Sequence, residues 1–343
     1  MSKLIAYILI ILLGLILPRN KFVTILIFMF MILAAIWAIG NVDYLYYEMN
    51  YEAIGIHGLN NDYEIGYQYI NLLGNLIGLK FSEFYIIVNT IIFICINGLV
   101  FRLSDNPNRV LSLYLIFPFL TDLVQFRNYI SLIFVLFAVV NLFKYKRNCF
   151  KFIILVLLAS TFHITSLFYL SFLLIFFIEK KYLLLMSIVI AVSVYTFNSQ
   201  IAIFISKFID ISKIGYFYSD VSITTKLLLL TYIIVFSIII GLLYTSKNKS
   251  KNIHRKIDIE VIIGVNIILI TTVAFVMRDL NFIRIFRNIM IITYLIIPPF
   301  LQKKTNLIRI NALSFIFSII VIISAVWWVV LAYSNSGPIS ILM

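Results

Sequence analysis

Charge is scarce in this chain: 12% of its 343 residues are Asp, Glu, Lys or Arg, against 63% hydrophobic. That balance excludes an ordinary soluble globular protein. Cysteine is almost lacking as well. Cys95 and Cys149 are the two present, and an isolated pair gives neither a disulfide framework nor a metal spacing. No His/Cys metal cluster, Gly-rich phosphate loop, internal repeat or linker is visible, so no metal or other cofactor is expected. The chain reads as one integral membrane domain, 1–343.

Acids are the scarcest charges, 14 against 27 Lys and Arg, for a net charge of +13. Such basicity invites a nucleic-acid partner, and the positions of the charges remove that reading. Eighteen of the 27 cations, from Arg19 and Lys21 to Lys303, Lys304 and Arg309, fall in alternate connectors with only Asp105, Glu179, Asp258 and Glu260 as acids. By the positive-inside rule those connectors are cytoplasmic. Both termini then face outward, the basicity is topological, and no nucleic acid is expected.

What the chain has in abundance is hydrocarbon. Apolar blocks at about 4–17, 22–39, 84–101, 110–126, 128–143, 150–162, 164–178, 182–198, 225–245, 257–277, 288–301 and 310–332 predict an all-α polytopic membrane protein. The count is about twelve spans, with ten to twelve possible. They are helical because a helix satisfies its backbone hydrogen bonds within one segment. Lys3 and the first apolar run lack a small-residue cleavage site, and Pro18-Arg19 reads as a turn into the second span.

Two blocks are short. The 34 residues between Arg109 and Lys144 and the 27 between Lys151 and Glu179 fall below the roughly 40 that two spans want. Each is a tight hairpin or one long tilted helix. Hairpins keep Lys144 to Lys151 inside and place the tips, near Arg127 and His163, at the floor of an outward-facing cavity.

The polar interruptions carry the candidate chemistry. An outer loop region, 40–83, holds Asp43, Glu48, Glu52, Asp62 and Glu64 among tyrosines that include Tyr44, Tyr47 and Tyr67. Acids interleaved with aromatic rings suit sugars, although an aromatic belt with solvated acids has the same composition. A second outer segment, 199–224, is amphipathic around Lys207, Asp210 and Lys213 and ends near Asp220. Arg127 follows Asp122 and Gln125 at membrane depth, where a cation needs an anionic partner. That partner is Asp122 or a bound anion.

His163 lies among Ser160, Thr161, Thr165 and Ser166 and is able to accept a proton near neutral pH. Arg278, Arg284 and Arg287 lie in ten residues. Arg284 and Arg287, three apart on one helical face, repel unless an anion sits between them, and their forks match phosphate or diphosphate. Asp43, as carboxylate, is the other candidate base.

The tracts VDYLYYEMNY, YEIGYQYINLLGNLIG, FRNYISLIFVLFAVV, ASTFHITSLFYL and MRDLNFIRIFR, in this order, resemble the EpsG-type branch of the Wzy-like O-antigen and capsular polysaccharide polymerases. Where members often show a Glu-Pro-Gly-Tyr-like element, this chain has Glu64, Ile65, Gly66 and Tyr67. The resemblance implies a multi-pass glycosyltransferase of the bacterial inner membrane with a GT-C-like fold. It would need neither nucleotide sugar nor metal, and would move a glycan from undecaprenyl diphosphate onto a lipid-linked repeat unit at the periplasmic face. A Wzz-type chain-length regulator is implied as a partner. An O-antigen ligase, another polyprenyl-dependent transferase and a lipid-linked oligosaccharide flippase are the competing readings. On the polymerase reading Arg127, Arg278, Arg284 and Arg287 hold the diphosphate, and His163 or Asp43 is the base. Tyr44, Tyr47, Glu48, Glu52, Asp62, Glu64, Tyr67 and Asp220 face the sugars.

Overall fold

A computed structural model describes residues 2–60, 63–143, 148–197, 200, 259–277, 279–301 and 341–342. Every regular element among them is helical. Helices α1 (Ser2–Ile16) and α2 (Lys21–Trp37) are joined by the Pro18-Arg19 turn. Asn20 starts α2, its side-chain oxygen accepting from the amides of Phe22 and Val23 at 2.9 and 3.2 Å. Along α2, Val23, Ile27, Met31 and Ala34 are buried while Phe22, Ile25, Met29, Leu33 and Ile36 are exposed. A helix with apolar side chains on its outer as well as its inner face suits lipid better than water.

Helix α3 (Val42–His57) leaves α2 at a 73° bend. Gly40 sits in that bend with φ +85°, a conformation that strains other residues. Helix α4 (Ile65–Leu76) packs on α3. Then comes α5 (Phe81–Leu103), whose 23 residues reach about 34 Å, enough for a hydrocarbon core of roughly 30 Å.

Among the described residues α5 alone is long and apolar enough to cross a membrane as one helix, or two spans if the bent α2–α3 pair is counted. Twelve full spans are therefore not reached there. One reason is that the apolar blocks are cut. The 110–126 block becomes α6 (Pro107–Ile116) and α7 (Phe119–Val124), broken at Phe117-Pro118 because proline lacks an amide donor and disfavours helix at the residue before it. A second break at Gln125 precedes α8 (Phe126–Phe143). The expected spans 225–245 and 310–332, and the amphipathic segment around Lys207, lie outside the described residues.

Helix α9 (Cys149–Ser160) packs along α8, and the chain turns at Thr161–His163 into a 3-10 helix, Ile164–Phe176, that packs back on α9. This is the expected hairpin with His163 at its tip. Thirteen residues wound as 3-10 rise about 26 Å, against about 20 Å as α-helix. The tighter winding stretches a segment too short to span as an α-helix. Helices α10 (Lys180–Thr196), α11 (Ile259–Leu269), α12 (Thr272–Val276), a 3-10 turn Leu280–Phe282 and α13 (Ile283–Leu301) complete the described structure.

Helix α8 is the centre, packed by α5, α7, α9, α11, α13 and the 3-10 helix. Its Leu132, Val135, Leu136 and Val139 are buried at helical spacing. Polar bonds between distant segments complement that packing. Asn128 and Asn288 exchange side-chain amide bonds at 3.1 Å. Ser131 and Ser166 hydroxyls meet at 2.5 Å, and the Tyr169 hydroxyl donates to the Ile285 carbonyl at 3.0 Å. Together they fasten the first turns of α8 and α13 to the 3-10 helix, which sets the site.

Candidate active site

Asn41 caps α3 by accepting from the Tyr44 amide at 3.0 Å, which puts Asp43 in the first turn, where the helix dipole favours an acid. Burial raises the Asp43 pKa, while the cationic Arg284 and Arg127 oppose that rise. One carboxyl thus feels two arginines that are 157 positions apart in the chain.

Arg127 is in the first turn of α8. Its Nη1 donates to Glu64 Oε2 at 2.5 Å. Its guanidinium lies 4.3 Å from the Tyr63 ring centroid and 6.0 Å from that of Tyr47, a cation–π arrangement. The pairing with Asp122 expected as one alternative does not occur. Glu64 also reaches the His163 turn, where its Oε1 accepts from the Ile164 amide at 3.2 Å. Beside it the Gly66 amide donates to the Thr161 carbonyl at 2.8 Å. A Cβ at Gly66 would lie 2.8 Å from that carbonyl oxygen, so the approach requires glycine.

His163 is 5% exposed. Arg284 Nη1 approaches its Nε2 at 2.5 Å, and because arginine only donates, Nε2 must accept. The imidazole proton then belongs on Nδ1, facing the Thr165 hydroxyl at 2.9 Å. The Thr165 amide, at 3.4 Å, is beyond a normal hydrogen bond. Arg284 is further held by its Nε donating to the Asn281 carbonyl at 2.6 Å.

Arg287, one turn further along α13, is not brought to this cluster. Its Nε donates to Asp122 Oδ1 at 2.7 Å with both side chains fully buried, and its Nη2 donates to Gln125 Oε1 at 2.6 Å. The other Asp122 oxygen accepts from the Tyr114 hydroxyl at 3.0 Å, and that hydroxyl meets Tyr129 at 3.1 Å. The anion beside Arg287 is thus the protein's own Asp122.

The residues expected at sugars divide. Tyr44 is buried against Phe81 and Tyr85, its hydroxyl donating to Glu48 at 3.2 Å. Tyr67 is fully buried among Tyr47, Tyr63 and Phe126. Glu52 is exposed. Asp62, Asp220 and Arg278 lie outside the described residues. Tyr63 and Asn281 join the site without having been singled out, and Thr165, expected only as part of the polar turn around His163, meets its Nδ1. Their only sequence signal is adjacency to Glu64, His163 and Arg284, because their contacts come from other helices or from the backbone turn.

No curated protein and no solved structure matches this chain. The model of the EpsG family matches residues 20–340, nearly its whole length. An arginine-rich helix start, a histidine turn and an acidic-aromatic stretch therefore occur within a Wzy-like, polymerase-type membrane family, and the chain belongs to the EpsG family.

Proposed function

We propose that this protein is a polysaccharide polymerase that transfers a glycan from undecaprenyl diphosphate onto a sugar hydroxyl of a lipid-linked repeat unit, at the periplasmic face of the bacterial inner membrane. The observation that carries the reading is that Arg127 and Arg284, from different helices, are held by Glu64 and His163 on two segments bonded directly to each other. Two partly exposed cations so placed, with Asp43 as a carboxyl whose upward pKa shift they oppose, supply both parts that the reaction needs.

In the reaction the acceptor hydroxyl attacks the anomeric carbon of the donor sugar, a carbon–oxygen bond forms, and the bond to the diphosphate oxygen breaks. The diphosphate leaves with the bonding electrons, and Arg127 and Arg284 stabilise the charge that develops on it. The hydroxyl proton goes to Asp43. His163 is the less suitable base because Arg284 already occupies its Nε2 lone pair. Arg278 remains a further candidate for the diphosphate. The exposed Glu52, with Glu48 and Tyr47, offers polar and aromatic surface for sugar rings.

Purified full-length protein given lipid-linked repeat units should produce a ladder of lengthened glycans. Transfer of a single glycan to lipid A, with no ladder, would make it a ligase instead. Movement of lipid-linked units across a bilayer without new glycosidic bonds would make it a flippase.

A further inference from the structure

Each of the two arginines is held by an acceptor, and the two acceptors belong to one joint. Glu64 Oε2 holds Arg127 at 2.5 Å and His163 Nε2 holds Arg284 at 2.5 Å. The segments that carry them are bonded directly, through Ile164 amide to Glu64 Oε1 at 3.2 Å and Gly66 amide to Thr161 carbonyl at 2.8 Å. The Thr165 hydroxyl, 2.9 Å from Nδ1, can accept from the imidazole in the form whose Nε2 accepts from Arg284.

We infer that the joint formed by Glu64–Gly66 and Thr161–Thr165 is a positioning device that sets the spacing of the Arg127 and Arg284 guanidinium groups for a diphosphate, with Glu64 and His163 as positioning residues. The inference rests on the diphosphate reading of those arginines. It gives Glu64 a role in aiming Arg127 rather than in binding sugar, and gives His163 a role that needs no change in its protonation. The physical reason is that a guanidinium on a long flexible stem loses rotamer freedom when an anion fixes it. An acceptor that fixes it beforehand removes that cost from the bound state. Displacement of an aimed group by about 1 Å is enough to cost roughly 100-fold in rate.

The test uses the full chain in lipid nanodiscs. H163A should lower polymerisation about 100-fold. H163Q, whose side-chain oxygen can accept where Nε2 does and cannot take up a proton near neutral pH, should recover it to within about tenfold of the unmodified protein. If H163Q is as inactive as H163A, His163 exchanges a proton in the reaction and the positioning role is overturned. A readout independent of turnover is the ¹⁵N spectrum of the imidazoles, assigned by substituting His57 and His254. His163 should show the Nδ1-protonated tautomer, and R284A should shift it. An Nε2-protonated ring, or no response to R284A, overturns the joint. Absence of any glycan lengthening by the unmodified protein defeats the diphosphate reading instead, so the two failures are distinguishable.

Discussion

Arg284 and Arg287 are three residues apart on the first turns of one helix, and they do different things. Arg287 is sealed among Asp122, Gln125 and the rest of the core, with both members of its ion pair fully buried. Arg284 reaches a neutral acceptor, His163, from a partly exposed position. Arg127, whose side chain is 22% exposed, resembles Arg284 in this respect. The difference teaches that an arginine's role is set by whether its surroundings already hold a matching negative charge. Where they do, as for Arg287, the pair holds elements together and has no charge left for a ligand. Where the nearest acceptor is neutral, or is a partly exposed carboxylate that leaves other guanidinium donors over, an incoming anion can bind alongside it.

The comparison breaks most visibly at the sealed pair. Arg287→Ala or Asp122→Ala leaves an uncompensated buried charge, which costs about 3–5 kcal/mol. Either variant should lower the thermal unfolding midpoint in detergent sharply, and Asp122→Leu with Arg287→Met together should restore much of it. Next come Arg127→Ala and Arg284→Ala, which should each slow polymerisation by about 100- to 1,000-fold through lost charge stabilisation. Those contacts are part-buried, so each substitution should cost about 1–3 kcal/mol of stability, less than the sealed pair. A loss of folding as large as that of Arg287→Ala would erase the distinction.

Gly66→Ala tests the joint from its backbone side. The added methyl meets the Thr161 carbonyl, and overpacking of this kind costs about 1–3 kcal/mol. Polymerisation should fall while the Arg287–Asp122 pair, and with it most of the unfolding midpoint, is retained. Tyr114→Phe removes one hydrogen bond from Asp122 and should cost about 1 kcal/mol, read as a small drop in the same midpoint with turnover unchanged.

The smallest effect expected is a shift in pH dependence. Asp43 acts as base only when ionised. Burial raises its pKa and Arg284 opposes the rise, so Arg284→Ala should raise it further and move the acid limb of the kcat/KM profile to higher pH. Arg287→Ala should leave that limb in place, provided the comparison is made where both variants are folded.

Much of the helical architecture was legible beforehand because the bilayer imposes a simple rule, apolar length with internally satisfied backbone. Charge spacing left a hairpin or one long tilted helix open at 152–178 and favoured the hairpin, and the chain does turn at Thr161–His163. The helix breaks at Phe117-Pro118 and Gln125 were only half legible: proline announces a kink, and nothing at Gln125 announces a second one. The 3-10 winding of Ile164–Phe176 has no local signature in its composition. Its greater rise per residue, about 26 Å over the segment against roughly 30 Å of hydrocarbon, narrows the shortage of length that the sequence displayed.

At the site, the sequence by itself determined which residue types were available: arginines clustered at the start of α13, a lone histidine in a polar turn, and acids interleaved with tyrosines. Their scarcity in a hydrocarbon chain marks them, since a charged or polar group in that setting is costly unless it is used. Only the tertiary structure decided the partners. Asp122 went to Arg287 rather than to the nearer Arg127, Glu64 crossed to Arg127, and Arg284 met His163 from 121 positions away. Pairing energies depend on distance and burial in three dimensions, and neither quantity can be read from separation along the chain.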